Sequence, residues 1–194
     1  MRAALNRNAE ELSERVISPD DCKEIANKIN RKKNIVGLRF NSIGELINEI
    51  HISNLQNIAY YVSPKIPITL WTKRPLLLFK VLKVPTFKVI YSNPAINQFV
   101  FPTDCDDRIQ HTFNVYDNPE KMQEAINFVR LCGRKCIECS GSCKDCMVCY
   151  STTEQERCVI FERTKRRFKC GAMLNIINMV DIHSRQMATQ LPRD

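Results

Sequence analysis

The first part of the chain is written in helical period. In "NAEELSERV" the apolar residues Leu12 and Val16 stand four apart on one face. "SPDDCKEIANKINRK" opens on Ser18, which suits an N-cap, with Pro19 at the first helical position and Ile25 and Ile29 repeating the spacing. Residues 1–33 therefore read as helices. The pattern then changes. "NIVGLRFNS" is a short apolar run rich in branched residues, as in a strand buried on both faces. Helical period returns in "GELINEIHISNLQNIAYYV" through Leu46, Ile50, Leu55, Ile58 and Tyr61, predicting two helical pieces. "IPITLWT", "TFKVIYSNP" and "QHTFNVYDN" predict three more strands, with a helix or turn at "KRPLLLFKVLK". "NPEKMQEAINFVRLCG" carries the clearest helix signals: Asn118 as cap, Pro119 and Glu120 in the first turn, and Gly133 to end it.

Strands alternating with helical segments predict an α/β fold on a parallel sheet with right-handed crossovers, as a partial (β/α) barrel or a small open parallel sheet. Reactive groups in either arrangement belong at the carboxyl ends of the strands. Those ends are Arg39 to Glu45, Trp71 to Arg74, Ser92 to Pro94 and Tyr116 to Asn118. The predicted division is an α/β domain over 1–131 and a cysteine-rich metal-binding module with a C-terminal tail over 132–194.

Composition adds limits. A 44% hydrophobic fraction with 5 Gly and 9 Pro supports a packed core and excludes disordered or fibrous classes. No apolar run is long enough to span a bilayer, and "MRAALNRNAEELSERV" does not read as a secretory signal, so the expected compartment is the reducing cytoplasm, with no membrane partner. The net charge of +8 is densest at "NRKK" (30–33) and "RTKRRFK" (163–169). Such runs either grip nucleic-acid phosphates or form a solvated face.

The chemistry concentrates in "LCGRKCIECSGSCKDCMVCY", which holds six of the ten cysteines. Clustered thiols in a reducing compartment point to metal, and six of them in so short a loop would make strained disulfide rings. The run is Cys132-x3-Cys136-x2-Cys139-x3-Cys143-x2-Cys146-x2-Cys149. A structural zinc usually joins two knuckles about a dozen or more residues apart. The tandem Cys143, Cys146 and Cys149 has instead the ferredoxin type of spacing, where one loop wraps three corners of a four-iron–four-sulfur cluster and a remote cysteine supplies the fourth. Cys132, Cys136 and Cys139 compete for that fourth place. Soft thiolates serve either metal, so zinc stays open beside the iron–sulfur cluster. Cys22 and Cys105 read as buried small hydrophobes, and Cys158 and Cys170 as spare ligands or core.

With "LRFNSIGEL" and "ITLWTKRP" ahead of "SCKDCMVCY", the order of motifs resembles a phage-encoded family named after gene product eighty-eight of a mycobacteriophage. Arg39 and Gly44 match the family's Arg and Gly spacing, with Glu45 in place of its acid. Thr72 and Lys73 match its second strand end, with Trp71 as the aromatic, and Cys143, Cys146, Cys149 and Tyr150 match its tail. The resemblance covers residues 6–165. That family is in turn similar to the partial barrel of radical S-adenosylmethionine enzymes. The resemblance implies an acidic turn at "NSIGEL" that meets S-adenosylmethionine, an auxiliary iron–sulfur cluster at 132–149, and a cofactor site at Arg39, Gly44, Glu45, Thr72 and Lys73. It also implies the cytoplasm of a phage host. The family's N-terminal cysteine motif has no counterpart before the first strand except Cys22, so the resemblance implies a truncated or internally initiated product, with enzymatic activity left open.

His51, His111 and His183 are scattered and form no triad pattern. The leading expectation is thus an iron–sulfur protein resembling a truncated radical S-adenosylmethionine-like enzyme, acting on a small molecule or with a partner chain. The alternative is a zinc-stabilised module that binds nucleic acid through 163–169.

Overall fold

The computed structural model describes residues 9–40, 45–80, 87–105, 107–150, 157–164 and 174–175. Seven parallel strands form one open sheet in the order β5-β6-β4-β3-β2-β1-β7. In chain order the strands are β1 (Leu38–Phe40), β2 (Ile68–Thr72), β3 (Phe87–Ser92), β4 (Ile109–Tyr116), β5 (Cys136–Glu138), β6 (Cys158–Arg163) and β7 (Leu174–Asn175). The helices are α1 over 9–14, α2 (Pro19–Asn30), α3 (Glu49–Tyr61), α4 (Pro119–Leu131) and the single turn α5 (Cys143–Cys146). Short 3-10 segments lie at Pro75–Lys80, Pro102–Asp104 and Val148–Tyr150. Among the described residues no helix is long and apolar enough to cross a membrane.

The helix signals act where they stand in the sequence. Ser18 accepts from the Asp21 amide to start α2, and Asn118 accepts from the Glu120 and Lys121 amides to start α4. The two helical pieces expected after β1 are one helix instead. Asn48 caps it by accepting from the His51 amide, which puts Leu46 ahead of the helix. Asn54 is fully buried on α3 and holds the N-terminal segment down. Its side chain accepts from the Ile17 amide and donates to the carbonyls of Leu12 and Arg15.

Helices cover one face of the sheet. Leu38, Phe40, Ile68, Leu70 and Val89 meet Ile25, Ile29, Ile52, Leu55 and Ile58 from α2 and α3. Further along the same face, Tyr116, Val159 and Phe161 meet Met122, Ile126 and Val129 of α4. An irregularity between Val89 and Ile90 pairs those two residues with Ile109 and His111, so β4 carries one extra residue, Gln110. Its side chain accepts from the Val89 amide that the irregularity would strand.

The strand order explains what lies on the other face. From β1 to β4 each strand is laid beside the last in one direction, and β5 continues past it. β6 then steps back between β5 and β4, pairing in parallel with both. A right-handed crossover that reverses direction must pass over the opposite face. The cysteine loop, described over 139–150, belongs to the segment making that step.

The boundary expected at 131/132 falls inside the sheet. β5 and β6 complete it, and Phe161 on β6 packs its ring against Tyr116 at 5.6 Å and Phe99 at 6.0 Å. The cysteine-rich stretch is a crossover of the main sheet rather than an appendage.

His51 gives the helical layer a pH dependence. It is 2% exposed, its Nδ1 accepts from the Ile47 amide, and burial lowers its pKa to about 4. The unfolded chain, with a histidine pKa near ~6.5, takes up the proton first as the pH falls. This contribution to stability is therefore complete above about pH 6.5 and is lost on acidification towards pH 4, by about 3 kcal/mol. His51→Asn keeps an acceptor for Ile47 without the titration. Denaturant midpoints measured across that window are expected to fall less steeply in the variant than in the wild type.

Candidate metal centre

The face opposite α2, α3 and α4 is made by strand alternation. Arg39, Trp71, Ile90, His111, Phe113, Cys158 and Ile160 point to it, while their strand neighbours point to the helices. The Arg39 guanidinium lies 3.5 Å from the Trp71 ring centroid, a stacked cation–π contact, and Trp71 meets Phe113 edge-on at 4.7 Å. This surface is largely apolar and needs a cover.

The cysteine loop supplies the cover. The Cys139 amide donates to the Phe161 carbonyl at 2.7 Å and carries the β5 pairing one residue further. Gly141, at φ 76, turns the chain. Ser142 then starts α5, its carbonyl accepting from the Asp145 and Cys146 amides and its hydroxyl bonded to the Asp145 carboxylate. Met147 ends the turn in the left-handed region at φ 50. That reversal drops Val148 and Cys149 onto the sheet among Trp71, Ile90 and Phe113.

Tyr150 locks the loop in place. Its buried ring sits on Gly37, where an added Cβ would lie 2.6 Å from the ring's Cδ1. No real contact tolerates that spacing, so Gly37→Ala is expected to push Tyr150 out. The cost should be about 1–3 kcal/mol, read as a lower unfolding midpoint. Gly37→Ala combined with Tyr150→Ala should recover part of it.

Cys139, Cys143, Cys146 and Cys149 line one cavity of about 20 Å³, walled by Ile137, Val148 and Ile160. Burial pushes the Cys149 thiol well above its ordinary range; Cys143, Cys139 and Cys158 add to the shift and Arg39 opposes it. Cys158, buried at the start of β6, is raised to about 12, chiefly by burial. Its amide donates to His111 Nδ1 at 3.2 Å, and its Sγ stands at the same distance from that nitrogen. The accepting Nδ1 leaves the proton of the neutral ring on Nε2. Burial, with Lys88 and Lys135 adding, lowers the His111 pKa to about 4.

The donor set fits a thiophilic metal: four soft sulfurs in apolar surroundings, with Arg39 and Lys88 within electrostatic range of the thiols. The arrangement is not closed around one ion. Among the described residues no three His, Cys, Asp or Glu side chains converge as a single metal ion would need. The cavity as it stands would hold a water, not a cubane.

The other cysteines lie elsewhere. β5 alternates, so Ile137 and Cys139 face the loop while Cys136 faces α4, its Sγ 3.9 Å from the Ile126 carbonyl. Cys132 is the exposed C-cap residue of α4. Neither lines the cavity, so of the three competitors for the fourth place only Cys139 does. Cys22 is wholly buried on the inner side of α2, and Cys105 is half-buried against the same core. Cys170 lies outside the described residues. No disulfide joins any of the described cysteines.

The five residues expected to hold a cofactor are divided. Glu45, Thr72 and Lys73 meet at the ends of β1 and β2. Glu45 Oε1 accepts from the Thr72 hydroxyl at 2.6 Å and the Leu46 amide at 2.8 Å, and Oε2 accepts from the Lys73 amide at 2.6 Å. Three of the roughly four acceptor sites of the carboxylate are thus filled. Arg74, within the strand end named from the sequence but not among the five cofactor residues, extends this clamp by donating to the carbonyls of Leu46 and Ile47 at 2.9 and 3.0 Å. Arg39 is not part of the clamp, because strand alternation sends it to the cysteine face. Gly44 lies outside the described residues. So does most of the basic run at 163–169, of which 163–164 are described.

The fold and site define a class: an open parallel sheet with helices on one face and a four-cysteine cavity on the other. No protein-family model matches the chain, and no curated protein or solved structure matches it.

Proposed function

We propose that this protein binds an iron–sulfur cluster of the four-iron–four-sulfur type through Cys139, Cys143, Cys146 and Cys149, in the reducing cytoplasm. The observation that carries the reading is the gathering of these four thiols around one apolar cavity on the face of the sheet opposite α2, α3 and α4. The ferredoxin-type spacing of Cys143, Cys146 and Cys149 favours a cluster over a single zinc. A lone tetrahedral ion draws four sulfurs to about 2.3 Å from one centre, whereas a cluster takes one thiolate per corner and holds them apart. A bound cluster supplies one-electron transfer or a structural staple.

The chain's own residues do the rest. Val148, Ile160, Trp71 and Phe113 keep water from the inner side. Arg39 and Lys88 offset the negative charge of the thiolates. Loading requires α5 to lift from the sheet, and a single exposed turn ending at Met147 can do so at small cost.

Kinship with radical S-adenosylmethionine barrels belongs to the same proposal. It is supported by the sequential β1–β4 order with helices on one face, and by the acceptor site left on Glu45. Reconstitution with iron and sulfide under argon tests the cluster. A brown protein whose visible absorbance bleaches with dithionite supports it, and a protein that stays colourless contradicts it. Calorimetric titration with S-adenosylmethionine, before and after Glu45→Gln, tests the kinship separately.

A further inference from the structure

A second cavity, of about 230 Å³, opens between the end of α4 and the 3-10 segment at Pro102–Asp104. Among the described residues it is lined by Phe101, Thr103, Arg134, Lys135, Arg157 and Val159 with two others, and none of these carries a carboxylate. Three cations from two distant stretches of chain meet there. Among the described residues none of the three is in an ion pair.

Cations after a helix often serve its C-terminal carbonyls. That need is already met at α4. The amides of Cys132, Gly133 and Arg134 donate to the carbonyls of Phe128, Arg130 and Val129 at 3.0, 2.9 and 3.1 Å. The Arg134 and Lys135 side chains are therefore not required as caps. Gly133, at φ +66 with no atom within 4 Å of where a Cβ would lie, leaves the approach open. Arg157 completes the ring from the start of β6, where its guanidinium also donates to the Asp107 carbonyl.

The geometry points to a binding site for the phosphate group of a small phosphoester, gripped by Arg134, Lys135 and Arg157. Guanidinium forks match phosphate oxygens in pairs, and the volume is below the roughly 300 Å³ at which drug-sized pockets begin. A phosphoryl group with one sugar fits better than a whole dinucleotide. The site is separate from the cysteine cavity and shares none of its lining residues.

Isothermal titration of the full chain at low salt with inorganic phosphate, with adenosine monophosphate and with an unphosphorylated single-stranded oligonucleotide tests this. Phosphate and the nucleotide are expected to bind. Arg134→Gln with Arg157→Gln should weaken both about a hundredfold, roughly tenfold for each cation removed. Lys121→Gln, which removes the same kind of charge elsewhere, should change nothing. Circular dichroism checks that the double variant is folded, and Arg157→Gln alone serves if it is not. No heat beyond that of chloride, or an equal loss in Lys121→Gln, would overturn the assignment. So would binding of the oligonucleotide alone, which would make this a backbone-phosphate surface.

Discussion

Cys143→Ala with Cys149→Ala is expected to empty the proposed metal site, while Cys132→Ala with Cys136→Ala leaves it loaded. Both pairs remove two thiols from one stretch of twenty residues, so a general loss of cysteine cannot explain a difference. The contrast rests on position. Cys143 and Cys149 line the cavity, whereas Cys136 faces α4 and Cys132 lies exposed at that helix's end. Loss of an outer partner typically lowers metal affinity about 10–100-fold, and loss of two direct ligands should exceed that. Metal content by elemental analysis reads the result. Equal loss in both pairs would mean that the cysteines rearrange on binding.

Phe161→Ala is expected to cost about 3–5 kcal/mol, the range for removing a large buried ring. Phe161 is fully buried on β6 and joins Tyr116 of β4 to Phe99 and the α4 layer. The informative probe is Trp71, the chain's one tryptophan, on β2 across two strands and on the opposite face. If β6 belongs to the main sheet, the Trp71 fluorescence transition and the far-ultraviolet transition should shift together. A Trp71 transition at the wild-type midpoint would mean that residues beyond 131 fold as a separate unit.

That second test bears on where the sequence misled. β1 to β4 and α4 were legible because their signals are local: branched apolar runs for the strands, and Asn118, Pro119 and Gly133 for the helix. β6 had a comparable signal in "CVIF", but its place between β4 and β5 is a long-range choice that no local pattern encodes. β5 is three residues long and begins with Cys136, so it reads as metal spacing rather than as a strand. Missing it hid the fact that separates the cysteines. Residues three apart on a strand point to opposite faces, so Cys136 and Cys139 cannot share a site. Likewise Arg39 and Glu45 look like neighbours in "LRFNSIGEL", yet alternation turns Arg39 to the cysteine face while Glu45 closes the strand ends. Cys143, Cys146 and Cys149 were legible as a group because one short loop holds all three.

The direct test of the proposed cluster is a joint count of iron, acid-labile sulfide and zinc in protein purified without oxygen. About four irons and four sulfides per chain, falling together in the Cys143→Ala and Cys149→Ala double variant, is the expected result. One zinc per chain without sulfide would contradict it and return the cysteine loop to a zinc-stabilised fold.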